Sequence, residues 1–97
     1  MSNKRWAANV DANQPGIVEE LRKFCSVEVN HDDILVGYQG KTYWYEIKAE
    51  DAVSKKTGLI LESKKKDSQK RLEKEWAGHY KIVSSLNEIL TDMGVIQ

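Results

Sequence analysis

Apolar and polar positions alternate through the middle of the chain, which is typical of strands whose two faces meet different surroundings. Residues 26–30 show this alternation, and residues 33–38 and 41–48 are rich in β-forming side chains. Only Gln39 and Gly40 separate the last two segments, and this spacing favours a two-residue hairpin turn. We therefore predict three consecutive strands, of which the second and third form a hairpin.

Apolar residues at helical spacing precede these strands and predict a first helix. Asn13 is a candidate N-cap, and Pro15 suits the first helical turn, where its missing N–H costs little. We predict that this helix continues to near Cys25. Residues 1–12 show no clear period and are predicted to form a basic arm, which leaves residues 13–97 as a single domain. The inward stripe of the helix is predicted to contain Ile17, Val18, Leu21 and Phe24.

A second set of elements follows the hairpin. Residues 64–77 predict a helix that Gly78 closes, and residues 81–83 predict a brief strand. Ser84 or Ser85 is then expected to cap a third helix. The order α-β-β-β-α-β-α predicts an α/β or α+β sandwich around one mixed sheet. The inward positions are Leu72 and Trp76 in the second helix, and Leu86, Ile89, Leu90 and Met93 in the third.

Composition narrows the class of protein. The chain has 97 residues, of which 40% are apolar and 31% charged, as is ordinary for a soluble domain. Its apolar runs are too short for a transmembrane helix or a signal peptide, so we expect a cytoplasmic protein with no membrane partner. Cys25 is the only cysteine, which excludes an intramolecular disulfide and a cysteine-based zinc site.

The net charge is zero, but the charges are segregated. Residues 55–74 carry a net charge of +5, whereas residues 19–51 carry −4. A basic segment beside an acidic one suits a polyanion-binding surface around a cation site, although a solvated lysine-rich loop would give the same pattern. The candidate contacts for a polyanion such as DNA are Lys64, Lys65, Lys66, Lys70, Arg71 and Lys74, with Lys4 and Arg5 of the arm.

The hairpin register places two acids together. If Tyr38 pairs with Lys41 across the turn, Asp33 lies directly opposite Glu46, with their Cβ atoms about 4.5–5.5 Å apart. Lys48 falls on the same face by alternation. The carboxylates would repel by roughly 3 kcal/mol at an effective dielectric near 20. Solvent, Lys48 or a divalent cation such as Mg²⁺ could relieve this repulsion, and an exposed Asp33–Lys48 salt bridge is the plain structural alternative.

Four stretches that span residues 11–90 resemble one nuclease family. They read DANQPGIVEELRK at 11–23, DILVGYQGKTYWYEIK at 33–48, SQKRLEKEWAG at 68–78 and KIVSSLNEIL at 81–90. Acids on the second and third strands of such a core resemble the PD-(D/E)XK nuclease superfamily. The closer resemblance is to the small, stand-alone VRR-NUC (virus-type replication-repair nuclease) proteins of phages and prophages. It implies a restriction-endonuclease-like α/β core, and Mg²⁺- or Mn²⁺-dependent cleavage of DNA in a host cytoplasm.

The resemblance assigns roles residue by residue. Asp33 and Glu46 stand at the family's metal-binding acids, and Ile47 at a position that lends a backbone carbonyl. Lys48 stands at the catalytic lysine, which orients or activates water or stabilises charge on the phosphate. Gln69 stands at the glutamine that faces the site from the second helix.

Two positions depart from the family pattern. The superfamily's first acid, on the first helix, falls at Gln14, whose amide oxygen would be a weaker metal ligand; Glu19 and Glu20 are alternatives. Asp32 replaces the usual proline before Asp33. These departures leave room for a protein that binds DNA but cuts it poorly.

The stand-alone members of this family are dimers that cut four-way DNA junctions, so the resemblance implies a homodimeric, structure-specific endonuclease. Trp6, Tyr43 and Tyr45 are the candidate apolar surface for a second subunit. Trp44 is expected to pack under the first helix or to flank DNA. The alternatives are a DNA-binding module without efficient chemistry, and an interaction protein whose acids form a structural ion pair.

Overall fold

The computed structural model describes residues 14–31 and 33–96. In this part of the chain it is a small α/β domain with a four-stranded mixed sheet and three α-helices. Chain order gives α1 (Gln14–Leu21), β1 (Ser26–Asn30), β2 (Asp33–Tyr38), β3 (Lys41–Ile47), α2 (Asp67–Glu75), β4 (Tyr80–Val83) and α3 (Leu86–Asp92), with 3-10 turns at Glu50–Ala52 and Glu62–Lys64. The predicted order of elements is confirmed. The arm, Asn13 and Asp32 lie outside the described residues.

The sheet runs in the order β1-β2-β3-β4. Its first two pairings are antiparallel, and β4 joins β3 in parallel. Gln39 and Gly40 both have positive φ, 50° and 79°, as a type I′ turn requires, so Tyr38 pairs with Lys41. The predicted register of the hairpin is confirmed.

This register sorts the strand residues onto two faces. The core face bears Val27, Ile34, Val36, Tyr45, Ile47 and Val83, and the site face bears Glu28, Asp33, Leu35, Trp44, Glu46, Tyr80 and Ile82. Helices α1 and α3 cover the core face, where their apolar stripes complete one buried cluster. The helical members of that cluster are Ile17, Val18, Leu21, Leu86, Ile89, Leu90 and Met93.

A polar network fixes one edge of the core face. The Tyr45 hydroxyl donates to Asp92 Oδ2 over 2.5 Å, and His79 Nε2 lies 2.5 Å from the same oxygen. Tyr45 is fully buried, so the prediction that it offers surface to a second subunit is wrong. Tyr43 is partly buried against the core, and Trp6 lies outside the described residues. Sequence pattern gave no signal for the His79–Asp92 pair, because its two members are remote in the chain.

The helix ends differ from the predictions. α1 ends at Leu21 rather than near Cys25, and Phe24 is 37% exposed in the turn that follows. α3 begins as predicted, since Ser85 Oγ accepts from the Glu88 N–H, and Gly94 follows that helix at φ 81°.

α2 is shorter than predicted at both ends. Residues 62–64 form a separate turn, and Trp76 is already extended. Gly78 does not close the helix with a positive φ. A Cβ at Gly78 would lie only 2.9 Å from Trp76 Nε1, so glycine here makes room for the indole ring. Trp76 is half exposed rather than on an inner face.

No helix in residues 14–31 and 33–96 has both the length and the apolar composition needed to cross a bilayer.

Candidate metal centre on the site face

Asp33 and Glu46 form the centre of the site face. They are direct partners in the β2–β3 ladder, because the two-residue turn fixes the register. Glu46 is 7% exposed, whereas Asp33 is only partly buried. Two acids at one paired position of a sheet are unfavourable without a compensating positive charge. Carboxylate oxygens of this kind are the ligands that a hard cation such as Mg²⁺ takes.

Trp44 holds Asp33. Its indole Nε1–H donates to Asp33 Oδ2 over 2.8 Å. This neutral donor fixes the orientation of the carboxylate and adds no charge to the site. Oδ1 makes no hydrogen bond within the part of the chain that the structure describes. One oxygen is thus oriented by the protein, and the other is available to a ligand.

Sequence reasoning missed this contact, and the expectation that Trp44 packs under the first helix is wrong, whereas its contact with DNA stays a prediction. α1 covers the opposite face of the sheet, so Trp44 does not pack under it. The predicted register contained the signal, because Trp44 lies two residues before Glu46 on the same face and is therefore diagonal to Asp33.

An aromatic row borders the acids. Trp44 packs edge to face between Trp76 and Tyr80, with ring centroids 5.0 and 4.9 Å away. Burial, followed by the charges of Glu46, Glu73 and Asp33, raises the pKa of Tyr80 well above the usual value for a phenol. Tyr80 therefore stays protonated at neutral pH and is a hydrogen-bond donor at this face.

Lys48 follows the end of β3. Its backbone N–H donates to the Val83 carbonyl over 2.7 Å, which continues the parallel ladder by one residue. Alternation puts its side chain on the face of Glu46. Among the described residues, Lys48 makes no ion pair with Asp33. The structural alternative, an Asp33–Lys48 salt bridge, does not form.

Gln69 is buried, as expected of a residue turned toward the sheet. Its Oε1 accepts the Lys66 backbone N–H over 2.9 Å, so this oxygen caps the start of α2. Gln69 thus has a structural role, and its role in the site stays a prediction. Ile47 has its side chain in the core, and the contribution of its carbonyl stays a prediction.

Gln14 lies in a different cleft from Asp33. Pro15, Val18, Glu19, Arg22 and Val29 line this cleft with it. The Gln14 amide nitrogen is buried and has no hydrogen-bond partner. Asp33 and Glu46 are not among the residues that line this cleft, and the role of Gln14 as a metal ligand stays a prediction.

A cleft of about 290 Å³ opens beside the acids. Asp33, Trp44 and Trp76 line it, together with Leu35, which is 44% exposed, and polar groups of β1. The Asp33 carboxylate is therefore accessible to an ion or to a larger ligand. The polar groups of β1 are those of Glu28 and Asn30.

The basic segment contains both free and paired side chains. Lys65 Nζ bridges Glu62 over 2.7 Å and Glu73 over 3.0 Å, and only 9% of its side chain is exposed. Lys65 thus links the turn before α2 to that helix, and its charge is not available to a phosphate. The exposed members of the predicted DNA-binding set are Lys64, Lys66, Lys70, Arg71 and Lys74.

The donor set suits a hard cation. Within the described residues, no group of three or more His, Cys, Asp or Glu side chains converges on a metal position. Mg²⁺ is usually held by one or two carboxylates, with waters and substrate phosphate as the other ligands. Asp33 and Glu46 fit this requirement, because they supply two carboxylates and Oδ1 of Asp33 has no hydrogen bond to the described residues.

Comparisons with protein-family models, curated proteins and solved structures find no significant match for this chain. The nuclease family identified from the sequence stays a prediction.

Proposed function

We propose that this protein is a divalent-metal-dependent endonuclease that hydrolyses the phosphodiester backbone of DNA. The observation that carries the proposal is the direct opposition of Asp33 and Glu46 beside an open cleft. Like charges directly opposite each other destabilise a sheet, whereas Mg²⁺ is commonly held by one or two carboxylates. The order of elements and the position of Lys48 agree with the same function.

Each residue has a defined task in the proposed reaction. Asp33 and Glu46 hold Mg²⁺ or Mn²⁺, which when bound neutralises charge on the phosphate and lowers the pKa of water. Trp44 orients the Asp33 carboxylate through its indole N–H. Lys48 donates hydrogen bonds to the attacking water or to the phosphate oxygens, where negative charge increases during the reaction.

The exposed basic residues hold the DNA backbone. Lys66, Lys70 and Lys74 belong to α2 or its N-cap, and all three are exposed. Lysine contacts to phosphate provide affinity without reading sequence. We therefore propose binding that depends on DNA shape and on salt. Lys4 and Arg5, which lie outside the described residues, stay predicted contacts.

Cleavage assays with purified protein test the proposal. Linear, nicked, flapped and four-way DNA are each incubated with Mg²⁺, Mn²⁺ or EDTA. Cutting should require the metal, and Asp33→Ala, Glu46→Ala and Lys48→Ala should each abolish it while DNA binding survives. Lys41→Ala is a matched control for Lys48→Ala, because Lys41 is exposed and lies at the opposite end of β3 from the acid pair. If Glu46→Ala cuts at the wild-type rate, the site assignment is wrong.

The proposed substrate is a branched DNA, and the proposed assembly is a homodimer. One site cuts one strand, and a four-way junction needs two cuts related by twofold symmetry. Light scattering at micromolar concentration should then report about twice the chain mass of 11.1 kDa. A strict monomer, or equal rates on linear duplex and junction, would reduce the proposal to a general nuclease.

A DNA-binding module without efficient chemistry is the second candidate. It is favoured by Gln14, which has a neutral amide at the position where the resembled family has an acid, and which lines a cleft with Pro15 and Val18. The cleavage assay separates the two functions. A binding module retains salt-dependent affinity for DNA in every metal condition and cuts none of the substrates.

A further inference from the structure

The hydroxyl of Tyr80 is anomalous. Its oxygen is buried and has no hydrogen-bond partner in the part of the chain that the structure describes. A buried polar group without a partner costs stability, and such groups are rare in folded proteins. Phenylalanine would fill nearly the same volume without this cost, so the hydroxyl calls for an explanation.

The sheet register places Tyr80 next to Glu46. Tyr80 pairs with Trp44, and Ile82 pairs with Glu46, so Tyr80 is diagonal to Glu46 on the site face. The edge contact with Trp44 fixes the Tyr80 ring. A phenol keeps its proton at neutral pH, so this oxygen can donate a hydrogen bond to a neighbouring carboxylate.

We propose that Tyr80 is a positioning residue, whose hydroxyl donates to the Glu46 carboxylate when that group binds a divalent cation. This inference rests on the proposed metal site. A carboxylate that ligates a metal with one oxygen is held in orientation by a hydrogen bond to the other. Tyr80 is the donor on this face whose hydroxyl is buried and unpartnered, and Trp44 already performs the equivalent task for Asp33.

The inference predicts opposite effects of one substitution on stability and on metal binding. Tyr80→Phe should leave the melting temperature of the metal-free protein unchanged or raise it, because the lost hydroxyl has no partner there. The same substitution should weaken metal binding by about 10-fold or more, as loss of an outer-shell hydrogen bond typically does. A purely structural hydroxyl would affect stability and leave the metal affinity unchanged.

Terbium provides a direct probe of affinity. Tb³⁺ seeks the same oxygen ligands, and tryptophan excitation should sensitise its luminescence because Trp44 contacts Asp33. Titrations with Tb³⁺, followed by displacement with Mn²⁺, give the affinities of wild type and variant. Tyr38→Phe is the matched control, since Tyr38 is the last residue of β2, beside the turn, whereas Asp33 is the first.

Three outcomes separate the possibilities. Weaker Tb³⁺ and Mn²⁺ binding in Tyr80→Phe, with no loss of stability and no change in Tyr38→Phe, supports the inference. Wild-type affinity in Tyr80→Phe, or a lower melting temperature in the metal-free state, overturns it and leaves the metal site in place. If Asp33→Ala and Glu46→Ala bind Tb³⁺ as wild type does, the metal site itself fails.

Discussion

The two faces of the sheet are built from alternate residues of the same strands, yet they differ in almost every physical respect. On β3, the side chains of Tyr45 and Ile47 lie on the core face, while those of Trp44 and Glu46 lie on the site face. The core face is closed by α1 and α3. The site face has a buried acid, a partly buried acid and an open cleft.

This difference shows how the chain separates stability from chemistry. The core face has apolar packing and a satisfied Tyr45–Asp92 hydrogen bond. The site face contains opposed carboxylates and the unpartnered Tyr80 hydroxyl. Local conflicts of this kind are expected at functional sites, where stability is supplied elsewhere. Substitutions on the two faces should therefore have opposite signatures.

The largest expected effect belongs to the core face. Leu90→Ala should lower the free energy of unfolding by about 2–5 kcal/mol, because Leu90 is fully buried between α3 and the sheet and the smaller side chain leaves a cavity. Leu35→Ala, on the site face, removes the same atoms from a residue that is 44% exposed. Its cost should be below about 1 kcal/mol. Urea unfolding monitored by circular dichroism measures both, and equal losses would show that the site face is as closed as the core.

Tyr45→Phe should have the next largest effect at neutral pH. It removes a buried hydrogen bond to Asp92, and the expected loss is about 1.5–3 kcal/mol because the acceptor is charged. Tyr43→Phe, two residues away on the same face and partly exposed, is the control and should change stability little.

The pH dependence of the same variant has a defined sign. Burial and the hydrogen bond to Asp92 raise the pKa of Tyr45 far above the unfolded value of about 10. Above pH 10 the unfolded chain releases the Tyr45 proton and the folded chain keeps it, so stability falls as pH rises. Phenylalanine removes this contribution, and the gap between wild type and Tyr45→Phe should narrow between pH 9 and 11.5. A constant gap in urea unfolding over that range would contradict a buried, neutral Tyr45.

The sequence was sufficient for features that depend on local patterns. The turn at Gln39 and Gly40 determines the strand register, so the Asp33–Glu46 opposition followed from the hairpin alone. Helical spacing likewise predicted the burial of Ile17, Leu21, Ile89 and Leu90, because one face of each amphipathic helix must cover the sheet.

Features that depend on which side chains meet in the folded protein were not predictable from local patterns. A glycine is typical of a helix end, but Gly78 is needed for its small size, because a side chain there would collide with the indole of Trp76. Lys65 is in a basic run, yet Glu62 and Glu73 enclose it after the chain folds. The contact of Trp44 with Asp33 required both the register and the knowledge of which face the first helix covers.

A smaller effect, with the opposite sign, is expected on the site face. Asp33→Asn should raise the stability of the metal-free protein by about 1 kcal/mol, since it removes the repulsion from Glu46 and solvent screens part of that repulsion. The asparagine oxygen can still accept the Trp44 hydrogen bond. The increase in melting temperature caused by Mn²⁺ should diminish in the variant. Asp51→Asn, an exposed control, should change neither quantity; an unchanged Mn²⁺ shift in Asp33→Asn would show that the cation binds elsewhere.

The smallest expected effects distinguish free from paired charges beside the site face. Lys70 is exposed on α2, whereas Lys65 is held by Glu62 and Glu73. Lys70→Met should leave stability unchanged and lower the slope of log affinity for duplex DNA against log salt by about 0.9, because one phosphate contact is lost. Lys65→Met should keep the wild-type slope and lower the melting temperature by at most a few degrees, since surface ion pairs contribute little. Fluorescence anisotropy between 50 and 200 mM salt, with Ca²⁺ in place of Mg²⁺, measures the slopes. An equal reduction of the slope in both variants would show that Lys65 separates from Glu62 and Glu73 when the protein binds DNA.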